Sequence, residues 1–139
     1  MLRQVSGLLS IRAERPGLYD FTAEVRRFVR ESGISSGLLT LFCRHTSASL
    51  LVQENAAPAA RRDLEAYFAR LAPENASYEH DDEGPDDMPA HLRSALTQTH
   101  LSIPVESWAP LLGTWQGIYL FEHRRSPSPR EIAVHLVGE

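Results

Sequence analysis

The sequence predicts an α+β fold, one domain over residues 1–139 with a mixed, largely antiparallel sheet and about three helices. Three observations point there. Apolar residues alternate with period two in most segments and follow the helical period in only three. Strand-like and helix-like segments succeed one another without the regular alternation of a doubly wound fold. A chain of 139 residues that is 42% hydrophobic can bury one core, and it contains no repeat, low-complexity stretch or interdomain linker.

The elements follow in order. Val5 to Ala13 reads as a strand, closed by the turn Arg15-Pro16-Gly17, where Pro fixes φ and Gly accepts positive φ. From Thr22 to Ser32 the pattern is helical: Thr22 is a cap, Val25, Phe28 and Val29 share a face, and Gly33 is a natural stop. After Gly37, LLTLFC suits a strand buried on both faces, and Ala48 to Gln53 a second strand. Pro58 opens a helix that carries Leu64, Phe68 and Leu71 on one face until Pro73 closes it. Asp87 or Met88, just before Pro89, starts a short helix that turns Leu92, Ala95 and Leu96 inward and holds His91 on its first turn. Leu101, Ile103 and Val105 alternate like a strand, Gln116 to Arg124 forms another, and Ile132, Val134 and Leu136 mark the last.

Composition narrows the function classes. A net charge of −4 and a pI near 5.9 provide no basic field that would draw nucleic acid, so small molecules or metal ions are the expected partners. A local Arg cluster remains able to hold one phosphate. The single cysteine, Cys43, cannot form an intrachain disulfide, and no basic, long-apolar leader opens the sequence. No apolar run approaches the roughly 20 residues that cross a bilayer. The expectation is a soluble cytoplasmic protein without a membrane partner.

Tyr78 to His91, YEHDDEGPDDMPAH, concentrates two imidazoles and six carboxylates in a segment too polar for a core. Such charges repel unless solvent, a cation or basic partners offset them, and His is the commonest protein metal ligand. His80 and His91 can fold back onto one divalent ion, with Asp81, Asp82, Glu83, Asp86 and Asp87 orienting the imidazoles. A solvated acidic loop is the other reading. No HExxH or paired CxxC pattern decides between them.

His45-Thr46-Ser47-Ala48-Ser49 sets an imidazole and three hydroxyls at the end of an apolar strand, which suits phosphate or hydroxyl contacts. The same residues serve equally as a turn satisfying its own backbone. No GxSxG elbow marks a nucleophilic Ser. In Gly113-Thr114-Trp115-Gln116-Gly117 the glycines admit a ligand and the indole offers a stacking face, or else Trp115 fills core or interface. Glu122 continues the face of Ile118 and Leu120, so it is either a general base with a raised pKa or the structural partner of Arg124.

HTSASLLVQENA, the stretch from Asp63 through YEHDDEGPDDMPAH, GTWQGIYLFEHR and the C-terminal VGE together resemble the YjbQ family over nearly the whole chain. The resemblance implies a compact α+β subunit assembling as a homotrimer around a metal. It also implies a thiamine-phosphate synthase activity of a secondary kind, joining a hydroxymethylpyrimidine diphosphate to a thiazole phosphate with loss of pyrophosphate. By its motifs, His45, His80 and His91 are the expected metal ligands and Glu122 and Asp63 the catalytic candidates. Thr46, Ser47, Asn55, Trp115, Gln116 and Arg124 are the expected substrate contacts. Most of the acidic-loop carboxylates then face solvent or orient ligands. Gln98 and Trp108-Ala109-Pro110 depart from the glycine-bearing turns expected there. Three imidazoles favour zinc, whereas a diphosphate substrate usually travels with magnesium. A metal-dependent hydrolase using Glu122, or a non-catalytic metal- or metabolite-binding trimer, are the alternatives.

Overall fold

The period-two segments fold into two antiparallel sheets that share a core. The computed structural model describes residues 1–126 and 128–139. In chain order the elements are β1 (Arg3–Arg12), β2 (Gly17–Asp20), α1 (Thr22–Ser32), β3 (Gly37–Cys43), β4 (Ala48–Glu54) and α2 (Pro58–Leu71). They continue with α3 (Asp87–Leu96), β5 (His100–Glu106), β6 (Ala109–Pro110), β7 (Gln116–Glu122) and β8 (Pro129–Gly138). One sheet has the order β1-β8-β3-β5-β6 and the other β2-β7-β4. The expected, largely antiparallel pairing holds, and among the described residues every strand pair is antiparallel. No helix among them is long and apolar enough to cross a membrane.

The main core lies between the sheets. Leu39 and Leu41 of β3, Ile132, Val134 and Leu136 of β8, and Ile103 and Val105 of β5 face Leu50 of β4 and Ile118 and Leu120 of β7. Helix α1 closes this core with Val25 and Val29, both fully buried, each stabilising the fold by about 1.5–3 kcal/mol. The other face of β7 presents Tyr119 and Phe121 to Leu64 and Phe68 of α2. The strand buried on both faces is therefore β7, not LLTLFC: Leu38 and Phe42 of β3 are 44% and 47% exposed, because among the described residues nothing covers the outer face of the larger sheet there.

Local chemistry accounts for the ends of several elements. Gly33 stops α1 in the left-handed conformation, φ 73°. Thr22 is not the cap: its N–H and hydroxyl donate to Asp20 Oδ1, and its Oγ1 accepts from Ile118 N, tying α1 to β7. Glycines 37 and 138 pair across β3 and β8, and a Cβ on either would collide with the opposing backbone. Between β5 and β6, Ser107 and Trp108 adopt φ of 52° and 60°, a tight hairpin that glycine fills more easily. Gln98 bridges Leu50 through its backbone, so the absent glycine there is accommodated by pairing.

Helix α3 packs differently from its apolar pattern. Its buried residues are Asp87, Pro89 and Ala90, while Ala95 and Leu96 are exposed and Leu92 is half-buried. Polar ties to the start of β4 fix it: His91 Nδ1 donates to Thr46 O and Ser94 Oγ to Ala48 O. The buried side is the one that carries chemistry.

Candidate metal centre

The acidic segment is not wholly solvated, because Asp86 and Asp87 are buried where the chain turns from Gly84, φ 99°, into α3. Arg124, just past the end of β7, explains how two carboxylates can be buried together. Its Nε donates to Asp86 Oδ2 at 3.0 Å, its Nη1 to Asp87 Oδ1 at 2.5 Å and its Nη2 to Glu83 O at 3.0 Å. Burial opposes ionisation of Asp86, but the Arg125 N–H and the Arg124 guanidinium outweigh it and hold the carboxyl below its usual range.

With Oδ1 anchored on Arg124, Asp87 Oδ2 is left facing two rings. His80 Nε2 lies 3.0 Å from it and His91 Nε2 3.1 Å. Asp87 and His91 meet because residues four apart share one face of a helix. Thr46 O can only accept, so His91 Nδ1 carries a proton, and Nε2 is the ring nitrogen that faces the Asp87 carboxylate. A ring nitrogen and a carboxylate oxygen at that distance need a proton or a cation between them. The ligand atoms of His80, Asp87 and His91 all lie within 4.8 Å of one another, which fits a divalent ion bound by two imidazoles and one carboxylate. The side-chain hydrogen bond to Asp87 raises the His80 pKa above its ordinary value, against desolvation and aided by Asp82 and Glu83.

The structure separates His45 from this group. Its Nε2 accepts from Glu131 N at 2.8 Å, and its Nδ1 sits 3.3 Å from Arg130 Nη1, so neither nitrogen offers a free lone pair. Burial, then Arg130, lowers its pKa. The third member of the His80–His91 cluster is Asp87, which the sequence pattern placed among the orienting or solvent-facing carboxylates. The spacing Asp87-to-His91 carried the missed signal.

Glu122 is corrected as well. It does lie on the core face of β7, fully buried, but Arg130 holds it through Nε to Oε1 at 2.7 Å and Nη2 to Oε2 at 2.5 Å. Its Oε2 also accepts the N–H groups of His123 and Arg124. A carboxylate so engaged is not placed to take a proton from a substrate, and its partner is Arg130 rather than the Arg124 side chain. Arg130 was legible: it shares the inward face of Ile132, Val134 and Leu136, where a guanidinium needs a counter-charge. His123 is buried against Ser49 Oγ at 2.9 Å, and burial, then Arg93 and Arg130, press its pKa down to about 3.

A cleft of about 790 Å³ opens beside His91, lined by His45, Thr46, Ser47, Ser94, Thr99 and the apolar flank of Phe42 and Cys43. Thr46 and Ser47 are therefore in its wall. Asn55, Trp115 and Gln116 are not. The β4–β7 register pairs Ala48 with Glu122 and Glu54 with Gln116, which puts those three residues roughly 20 Å along the ladder from Glu122. There Asn55 Nδ2 donates to Thr114 O and Gln116 O, and Gln116 Oε1 accepts from Gly113 N, closing the loop on itself. Trp115 is 65% exposed, and Asp63 lies on the exposed face of α2.

The model of the family described as UPF0047 protein YjbQ-like matches residues 8–139. The UPF0047 protein sll1880 of Synechocystis sp. is 49% identical over 138 residues, covering 99% of this chain and 94% of that protein. The YjbQ protein of Escherichia coli O157:H7 is 42% identical over 132 residues, 94% of this chain and 96% of its own. Among solved structures, the conserved hypothetical protein TT1486 of Thermus thermophilus superposes with a TM-score of 0.84 at 34% identity, over 94% of this chain and 98% of that one. The YbjQ-like protein of Sulfolobus solfataricus gives a TM-score of 0.88 at 25% identity, over 99% of this chain and 100% of that one. Motif order, antiparallel fold and these matches agree, and the chain belongs to the YjbQ (UPF0047) family.

Proposed function

We propose that this protein is a divalent-metal-dependent enzyme acting on a phosphorylated small molecule in the cleft beside His91. The observation that carries the reading is the convergence of His80 Nε2 and His91 Nε2 on Asp87 Oδ2, with the opposite oxygen held by Arg124. When bound, the ion supplies Lewis-acid stabilisation of phosphate oxygens. This chain's own residues fix the carboxylate, set the His91 tautomer and present the hydroxyls of Thr46, Ser47, Ser94 and Thr99 along the cleft.

The finer form of the proposal is the coupling implied by family resemblance, a pyrimidine diphosphate joined to a thiazole phosphate with release of pyrophosphate. A donor set of two nitrogens and one oxygen supports it better than three imidazoles would. Such a set accepts zinc, manganese or iron and leaves positions open for diphosphate oxygens. The hydrolase alternative loses its base, since Glu122 is locked on Arg130. The homotrimer is part of the same proposal, supported by Leu8, Leu38 and Phe42, exposed apolar residues of the larger sheet.

Elemental analysis and turnover test the reading. Protein stripped and reloaded with zinc or manganese should hold about one ion per chain and form thiamine phosphate from the two precursors. Native mass spectrometry should give three times the 15.6 kDa chain mass. Failure to retain any ion, in the wild type and in protein reloaded at neutral pH, would sink the proposal. Tight metal binding without coupling leaves a metal-binding module.

A further inference from the structure

A second cleft, of about 420 Å³, lies between β2 and the start of α2, and three arginines line it: Arg15, Arg61 and Arg62. The arginine ion pairs of this protein are made elsewhere, by Arg44, Arg124, Arg125 and Arg130. Among the described residues none of the three cleft guanidiniums has a carboxylate in ion-pair range.

The two acids in the same wall each have one oxygen engaged by neighbouring donors and pair with none of the three guanidiniums. Asp20 Oδ1 accepts the Thr22 N–H and hydroxyl, and Glu65 Oε1 accepts the Leu18 N–H. Arg61 is held rigidly: its guanidinium sits 5.1 Å over the Tyr119 ring and its Nη2 donates to Tyr119 Oη at 3.2 Å. Its Nε–H is buried and has no acceptor within the protein. One guanidinium fixed on Tyr119 and two exposed ones, gathered in one concave site without carboxylate partners, match an oxyanion, which Arg meets with paired N–H groups.

We infer that this cleft is a phosphate-type oxyanion site, distinct from the metal centre, whose ligand is a small phosphomonoester. The guanidiniums of Arg15, Arg61 and Arg62 take the phosphate, and Pro16, Leu18 and Pro58 supply an apolar wall for a short organic group. Free inorganic phosphate shares the chemistry that recognises the site. The volume, several times that of a phosphate ion, favours the ester.

The test uses isotope-labelled, EDTA-treated protein, so that the metal centre plays no part. Amide resonances of Arg15, Gly17, Arg61 and Arg62 are followed while inorganic phosphate, and separately glycerol phosphate, are added at constant ionic strength. Saturable shifts confined to this cleft are expected, with glycerol phosphate binding at least ~3-fold tighter than phosphate. The double variant Arg15→Gln/Arg62→Gln alters two exposed side chains and should weaken both at least ~10-fold without changing the melting temperature. Arg26→Gln/Arg30→Gln on α1, which removes the same charge elsewhere, should change neither. Non-saturating shifts, equal loss in both double variants, or unchanged binding in Arg15→Gln/Arg62→Gln would overturn the inference. Phosphate binding tighter than the ester would overturn the ester assignment.

Discussion

Replacing Arg124 with Gln isolates the group that makes the acidic segment foldable. The guanidinium ties Asp86 and Asp87 together, and their side chains are 11% and 4% exposed against 25% for Arg124 itself. Removing one partner of a fully buried ion pair costs about 3–5 kcal/mol, because a desolvated charge is left uncompensated. Partial exposure of Arg124 lets water replace some of the loss, and His80 and His91 still face Asp87, so about 2–3 kcal/mol is the reasoned cost. For a chain of this size that lowers the melting temperature by roughly 6–12 °C. The assay is calorimetry on EDTA-treated protein, with Arg125→Gln as the control. Arg125 pairs with Glu74 across side chains 60% and 31% exposed, so its loss should cost less than about 1 kcal/mol. The pH dependence has a fixed sign. Asp86 has a depressed folded-state pKa, so its contribution is complete above the ordinary carboxylate range and is lost as pH falls through the depressed value. The Arg124→Gln deficit should therefore narrow in acid. Equal melting temperatures for Arg124→Gln and Arg125→Gln at neutral pH, or a deficit that widens in acid, would refute the reasoning.

Asp87→Asn and His91→Ala should each reduce zinc or manganese affinity by at least ~100-fold, while His45→Ala should leave it within about 3-fold, measured by competition with a chelating dye; comparable losses in all three would restore His45 as a ligand. Glu122→Gln should destabilise the fold by about 2–4 kcal/mol in denaturant titrations, since it strips a buried guanidinium of its counter-charge, rather than yielding a stable but inactive protein. In metal-free protein the His80–Asp87 contact should contribute fully below the ordinary histidine range and fade as pH rises through the raised His80 value, whereas metal affinity should rise over that same interval as the proton leaves; proton chemical shifts of the His80 ring report both.

Sequence patterns were a reliable guide where a single local rule governs a segment. The alternation in β5 and β8, Pro58 at the start of α2 and Gly33 at the end of α1 each follow from one period or one backbone preference. They misled at LLTLFC and at α3. Apolarity cannot tell a strand covered on both sides from one whose outer face is bare, and α3 is oriented by Arg124 and by hydrogen bonds to Thr46 and Ala48, not by its leucines. The acidic segment itself, with His80 and His91 as its chemical content, was legible from composition and spacing.

What the sequence determined alone was the class of fold, the family and the two imidazoles. Tertiary structure decided which third group joins them and which carboxylate is spent on an arginine. Those choices depend on contacts between Arg124 and Asp87 and between Arg130 and Glu122. Each pair is far enough apart in the chain, or turned by the sheet register, that only the packed fold fixes which charges are desolvated together. Once buried, a carboxylate's role is set by its nearest cation and donors, and those neighbours are a property of three-dimensional packing rather than of local pattern.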